Sequence, residues 1–190
     1  MIRLLLLLSL LGVWSCQEPP QDDKPVSISG EIVNPTDPYV ILYKGEEPID
    51  SARLDAQNRF ELRIDSLESG LYNFFHRPEF QYIYLEQGDS MQIRLNTVAF
   101  DESLVFSGSG EAVNNFLIDF FLESEGEENL IRENLGPMEP EAFSAKIDSL
   151  KVRKVRELEE LKNEFPITEG AYHTARASIL YKIYYYREKY

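Results

Sequence analysis

Cys16 is the only thiol in this 190-residue chain. One thiol excludes an intramolecular disulfide and any cysteine-rich metal site. The two histidines, His76 and His173, have neither a second His nor a Cys at metal-ligand spacing. His76 precedes Arg77-Pro78 and reads as a turn residue at a strand end. His173 borders the apolar face of a helix and reads as a packed or surface residue. Carboxylates number 33, too many for spacing to single out an acid-base pair. Glu123 to Glu128 lacks the one-three-five oxygen spacing of a calcium loop and reads as solvated loop. Ser107-Gly108-Ser109-Gly110 has the glycines of a phosphate-cradling loop, but no Lys follows and no parallel sheet precedes it, so it reads as a flexible join. No catalytic constellation, metal set or cofactor is predicted. Tyr184-Tyr185-Tyr186, with Tyr181 and Tyr190, is the densest aromatic run. Three consecutive residues of a helix cannot share one face, so at least one tyrosine is expected at the surface while the helix packs with the others.

The position of Cys16 gives it a specific chemistry. Arg3 supplies a short positive start, and Leu4 to Leu8 and Leu10 to Val13 form an apolar run interrupted only by Ser9. That run is too short for a bilayer-spanning helix, which takes about 20 residues, and reads as a cleavable secretory signal. The polar segment Gln17-Glu18-Pro19-Pro20-Gln21-Asp22-Asp23 then ends the apolar stretch. Val13-Trp14-Ser15-Cys16 resembles a lipobox, the site at which bacterial lipoproteins are lipidated on cysteine and cleaved just before it. Trp14 is bulkier than the usual middle residue. The resemblance implies a signal peptide over 1–15, a lipid on Cys16, a flexible tether to residue 25, and attachment to the membrane through at least two acyl chains. A lipidated Cys16 is no longer a nucleophile. Gln17 replaces the Asp that favours inner-membrane retention, and Glu18, Asp22 and Asp23 resemble acidic export tethers. The expected location is therefore the outer membrane, facing the periplasm or the surface.

A net charge of −14 repels phosphate backbones and excludes nucleic acid as an expected partner. From Val26 onward the apolar residues recur every second position. Val26, Ile28 and Ile32, then Tyr39 to Tyr43, Phe60, Leu62 and Ile64, Gly70 to His76, Phe80 to Leu85, Met91, Ile93 and Leu95, and Leu104 to Phe106 predict about seven short strands separated by turns. This pattern fits an antiparallel β-sandwich or small barrel over 26–107. The period then becomes helical. Val113, Phe116, Leu117, Phe120 and Phe121 predict a helix from Glu111 to Glu123, broken by the acidic stretch that follows it. A weaker turn over 129–134, a helix over 141–165 and a last one from about Thr168 complete an α-helical region over 111–190. The fold class is α+β. A ligand-binding surface, if the sheet carries one, is expected on Tyr72, Phe74, Tyr82 and Tyr84.

Four segments carry a wider likeness. They are Ile28-Ser29-Gly30-Glu31-Ile32, Asn58-Arg59-Phe60, Glu86-Gln87-Gly88-Asp89-Ser90-Met91, and the stretch from Phe106 to Leu117 that contains Asn114-Asn115. Together they resemble the N-terminal region of TlpA-like envelope lipoproteins, whose C-terminal half is a thioredoxin-fold domain. That resemblance implies a β-sandwich followed by a helical connector. The Cys-x-x-Cys of those relatives does not occur in this chain, and Tyr190 lies in a segment still reading as helix. Two expectations follow. One is a non-catalytic, envelope-anchored module that binds a partner protein or positions a C-terminal domain. The other is the N-terminal part of a thioredoxin-like thiol-disulfide oxidoreductase.

Overall fold

The computed structural model describes residues 24–134 and 138–190. The predicted leader, Cys16 and nearly all of the tether lie outside them. The chain forms β1 (Val26–Val33), β2 (Tyr39–Lys44), β3 (Glu47–Arg53), β4 (Arg59–Ile64), β5 (Gly70–His76), β6 (Glu79–Leu85) and β7 (Ser90–Asn96). A 3-10 turn (Thr97–Ala99) and the one-turn α1 (Phe100–Ser103) lead to β8 (Val105–Gly108). Three long helices follow: α2 (Glu111–Asn134), α3 (Pro140–Glu164) and α4 (Glu169–Lys189). The class is α+β, strands first and helices after.

Two four-stranded sheets, ordered β4-β1-β7-β8 and β3-β2-β5-β6, face each other. Alternation decides what lies between them. Val26, Ile28 and Ile32 of β1, Phe60, Leu62 and Ile64 of β4, and Met91, Ile93 and Leu95 of β7 are buried against Val40, Leu42, Tyr72, Phe74, Ile83 and Leu85 of the second sheet. The rings of Phe60 and Phe74 meet at 5.6 Å. Gly30 takes the inward position at which β1 would otherwise clash. A Cβ there would lie 2.1 Å from the Ile93 carbonyl oxygen and 2.9 Å from the Phe60 ring. The pairing is antiparallel except between β1 and β7, which run parallel from Ser27↔Ser90 to Val33↔Asn96. An all-antiparallel arrangement was expected. The parallel pair arises because the chain passes through the second sheet twice between those two strands.

Two elements depart from the sequence pattern. β3 has no apolar alternation, yet it pairs with β2 from Tyr39↔Arg53 to Lys44↔Glu47. Its charges and Pro48 suit a strand whose outer side faces water. α2 runs unbroken through the acidic stretch. There Glu123 pairs with Lys154, Glu127 with Arg153 and Glu128 with Lys182. Carboxylates that read as a solvated loop are instead bound by cations of α3 and α4. Pro140 opens α3 at its first turn, where a missing N–H costs nothing. The Thr168 hydroxyl caps α4 by accepting from the Ala171 N–H. α4 then buries Ala171, Ala175, Ile179, Ile183 and Tyr186 along one stripe.

Candidate functional site

The site depends on how α2 is seated. Its consecutive asparagines point about 100° apart around the helix. Asn114 is buried. It accepts from the Tyr84 N–H (2.7 Å) and donates to the Tyr84 carbonyl (2.9 Å) and the Gly110 carbonyl (3.0 Å). Asn115 does the same for Phe106, accepting from its N–H (3.0 Å) and donating to its carbonyl (2.9 Å). Tyr84 lies on edge strand β6 of one sheet and Phe106 on edge strand β8 of the other. Each side-chain amide thus supplies the donor and acceptor that a further strand would have supplied. One turn on, Ile118 enters the sandwich core, while Val113, Phe116, Leu117 and Phe120 pack with α3 and α4.

The other end of the site is set by Glu86. Its carboxylate accepts from the Tyr84 hydroxyl (2.7 Å) and the Thr168 hydroxyl (2.7 Å), tying the start of α4 to β6. Burial, and donation to that carboxylate, push the Tyr84 phenol well above its usual range. Farther along α4, the Tyr186 hydroxyl donates to the Ser124 carbonyl (3.0 Å), and Lys182 binds Glu128 (2.9 Å). Burial raises the Tyr186 phenol as well. α2 and α4 are therefore fixed at points beside a groove of about 750 Å³. Leu71, Gln81 and Tyr82 line it from the sheet, Leu117, Phe120, Phe121 and Ser124 from α2, and residues from His173 to Lys182 from α4. Tyr82 is 52% exposed and Tyr181 76% exposed, and Phe121 is also open to solvent. Large, mostly apolar recesses with a few polar groups are the usual form of binding sites. The buried hydroxyl of Ser124 has no hydrogen-bond partner.

Of the four aromatic residues expected to form a binding surface, three are placed otherwise. Tyr72 and Phe74 face the sandwich interior, and Tyr84 is buried beneath the helices. Only Tyr82 is exposed. Register separates Tyr82 from Tyr72 and Phe74, because Tyr82 stands opposite Asn73 and shares its face; Tyr84 shares that face too but is covered by the helices. The sequence reading missed Phe80, whose ring packs edge-on to Tyr82 at 5.6 Å, and it missed the pairing of Tyr82 with Phe121 and Tyr181 around one groove. In the tyrosine run, Tyr186 is core, whereas Tyr181 and Tyr184 are exposed.

His76 ends β5 at the Arg77-Pro78 turn and is fully buried. Its Nε2 accepts from the Thr36 N–H (3.2 Å) and its Nδ1 faces the Tyr39 carbonyl (2.9 Å), which assigns the proton to Nδ1. It ties the β1–β2 turn to the end of β5. His173 is exposed, 3.7 Å from Glu169. Among the described residues no three His, Cys, Asp or Glu side chains converge on a metal-sized space. Nor is any described helix long and apolar enough to cross a membrane. The groove offers apolar surface and hydrogen-bonding groups, which is the equipment of a binding site. No protein family, curated protein or solved structure matches this chain.

Proposed function

We propose that this chain is a non-catalytic, lipid-anchored module of the bacterial cell envelope that holds a partner protein, or a C-terminal domain, in the groove between α2 and α4. The observation that carries the binding role is the groove itself, an apolar recess rimmed by solvent-exposed Tyr82, Phe121 and Tyr181. Exposed aromatic side chains around a recess are costly to leave in water and are the residue types that anchor protein interfaces. The anchoring role rests on the lipobox-like Val13-Trp14-Ser15-Cys16. In cells, a photoreactive residue replacing Tyr181 in the full chain should give one reproducible crosslinked species. Clickable palmitate should label the chain and fail to label Cys16→Ala. Absence of the crosslinked species removes the binding role, and equal palmitate labelling of both chains removes the anchor.

A further inference from the structure

We infer that two copies of this chain associate edge to edge through β4, antiparallel about a two-fold axis at Leu62, so that Glu61 of each copy faces Arg63 of the other. The inference depends neither on an occupant of the groove nor on the lipid anchor. Four strands end the two sheets: β4 and β8, β3 and β6. The edges of β6 and β8 are taken by Asn114 and Asn115. β3 contains Pro48, which has no N–H, and its register with β2 shifts between Leu42 and Tyr43. Both features make a strand a poor template for pairing. β4 has neither. Its six residues pair with β1 without a shift, from Arg59↔Glu31 to Ile64↔Val26.

Backbone geometry decides which groups β4 offers. The Ile32 N–H donates to the Asn58 carbonyl (3.0 Å). The Arg59 carbonyl instead accepts from the Asp55 N–H, and the Arg59 N–H donates to the Asp55 carboxylate (2.8 Å each). Bonding direction alternates along an antiparallel strand, so even-numbered residues of β4 bond β1 and odd-numbered ones turn their N–H and C=O outward. The 55–58 turn occupies Arg59, which leaves the outward groups of Glu61 and Arg63. In a pair of copies one antiparallel register uses both residues at once, with Glu61 opposite the partner's Arg63 and Arg63 opposite the partner's Glu61. A shift of two residues either way sets Glu61 against Glu61 or Arg63 against Arg63. The register that the backbone selects is therefore the one in which opposite charges meet. Facing side chains of paired strands have Cβ atoms about 4.5–5.5 Å apart. Across β1, Glu61 and Arg63 face only Ser29 and Ser27, and neither is in an ion pair among the described residues. The net −14 of each copy repels at long range, but at 0.15 M salt that field fades over about 8 Å, which exceeds the spacing of the facing pairs. On the inner face Leu62 meets Leu62, and two four-stranded sheets become one of eight strands.

The test uses the full chain in detergent micelles at about 0.15 M salt, with sedimentation equilibrium and backbone hydrogen exchange as readouts. In the parent, exchange at the Glu61 and Arg63 amides should slow as concentration rises. Glu61→Arg sets like charge against the partner's Arg63, and Arg63→Glu sets like charge against the partner's Glu61. Each should weaken association by about tenfold or more. The two single variants mixed together should regain it to within about threefold of the parent, because opposite charges again meet in the same register. The double exchange Glu61→Arg with Arg63→Glu in one chain should do the same, and it keeps the composition, which guards against a folding defect. Both positions are exposed, so circular dichroism should not change. A parent that stays monomeric at millimolar concentration, with both amides exchanging freely, overturns the proposal. Association that survives either single substitution, or that neither the mixture nor the double exchange restores, overturns it as well.

Discussion

Asn114→Leu replaces an amide by an apolar side chain of similar size and leaves the Tyr84 N–H and carbonyl buried without their partner. The Gly110 carbonyl keeps the Asn114 backbone N–H (3.1 Å) as a donor, so it is not orphaned. Two orphaned backbone groups at about 1–3 kcal/mol each give an expected loss of roughly 4 kcal/mol. That is a large share of the 5–15 kcal/mol that holds a typical domain together. Asn115→Leu breaks an equivalent pair at Phe106, but those bonds are only partly buried. Water can replace them there, and the expected loss is about 1–2 kcal/mol. Urea unfolding of the detergent-solubilised chain, followed by far-ultraviolet circular dichroism, gives both values. A cost for Asn114→Leu below about 1 kcal/mol, or below that of Asn115→Leu, would refute the seating of α2 on the sheet edges.

Further outcomes can be checked in the same way. A Cβ at Gly170 would lie 2.5 Å from the Tyr84 hydroxyl oxygen, so Gly170→Ala should cost about 1–3 kcal/mol. Tyr84→Phe in the same chain should restore most of that, and a melt showing no recovery would place the strain elsewhere. Lys154 is buried, but its partners Glu123 and Glu157 reach water, so Lys154→Met keeps the packed stem and lets the carboxylates rehydrate. Its stability should stay within about 1 kcal/mol of the parent, and a thermal-melt loss of several kcal/mol would contradict this. Burial, and to a smaller extent repulsion from Glu86, raise the Asp89 carboxyl above its usual range, while the Glu86 N–H opposes the shift. A carboxyl raised in the folded state weakens folding above that raised value. The penalty fades as pH falls through it and vanishes below the unfolded value. Asp89→Asn should therefore raise the melting temperature at pH 7, with the gain disappearing in acid. A gain of equal size at pH 3 and pH 7 would exclude the carboxylate as its cause.

The strands were legible where one face meets the core, because Phe60, Leu62 and Ile64 or Met91, Ile93 and Leu95 alternate with polar residues. β3 was not, because Glu47–Arg53 lies at an edge and buries little. The continuity of α2 depends on partners far along the chain. Glu127 meets Arg153 at 26 residues' separation, and Glu128 meets Lys182 at 54. No local pattern announces such pairs, and an acidic run by itself reads as loop. The groove was half legible. Tyr82 could be nominated as a sheet aromatic, but Tyr72 and Tyr82 occupy opposite faces only because Asn73 pairs with Tyr82, and register is a tertiary property. Phe121 and Tyr181 became neighbours of Tyr82 once α2 and α4 were seated.

The twin asparagines also bear on the order in which the chain is made. All eight strands precede Gly110, and the residues that complete edge strands β6 and β8 come only afterwards, at positions 114 and 115. A nascent chain emerging from its N-terminus therefore holds a nearly finished sandwich whose β6 and β8 edges stay uncovered until the first turn of α2 arrives. Truncation just before Asn114 should consequently produce a chain that aggregates rather than one merely lacking its helices. In this protein a helix covers the β6 and β8 edges of the sandwich, and its arrival marks the moment at which those two edges stop offering backbone groups to other chains, leaving β3 and β4 as the edge strands.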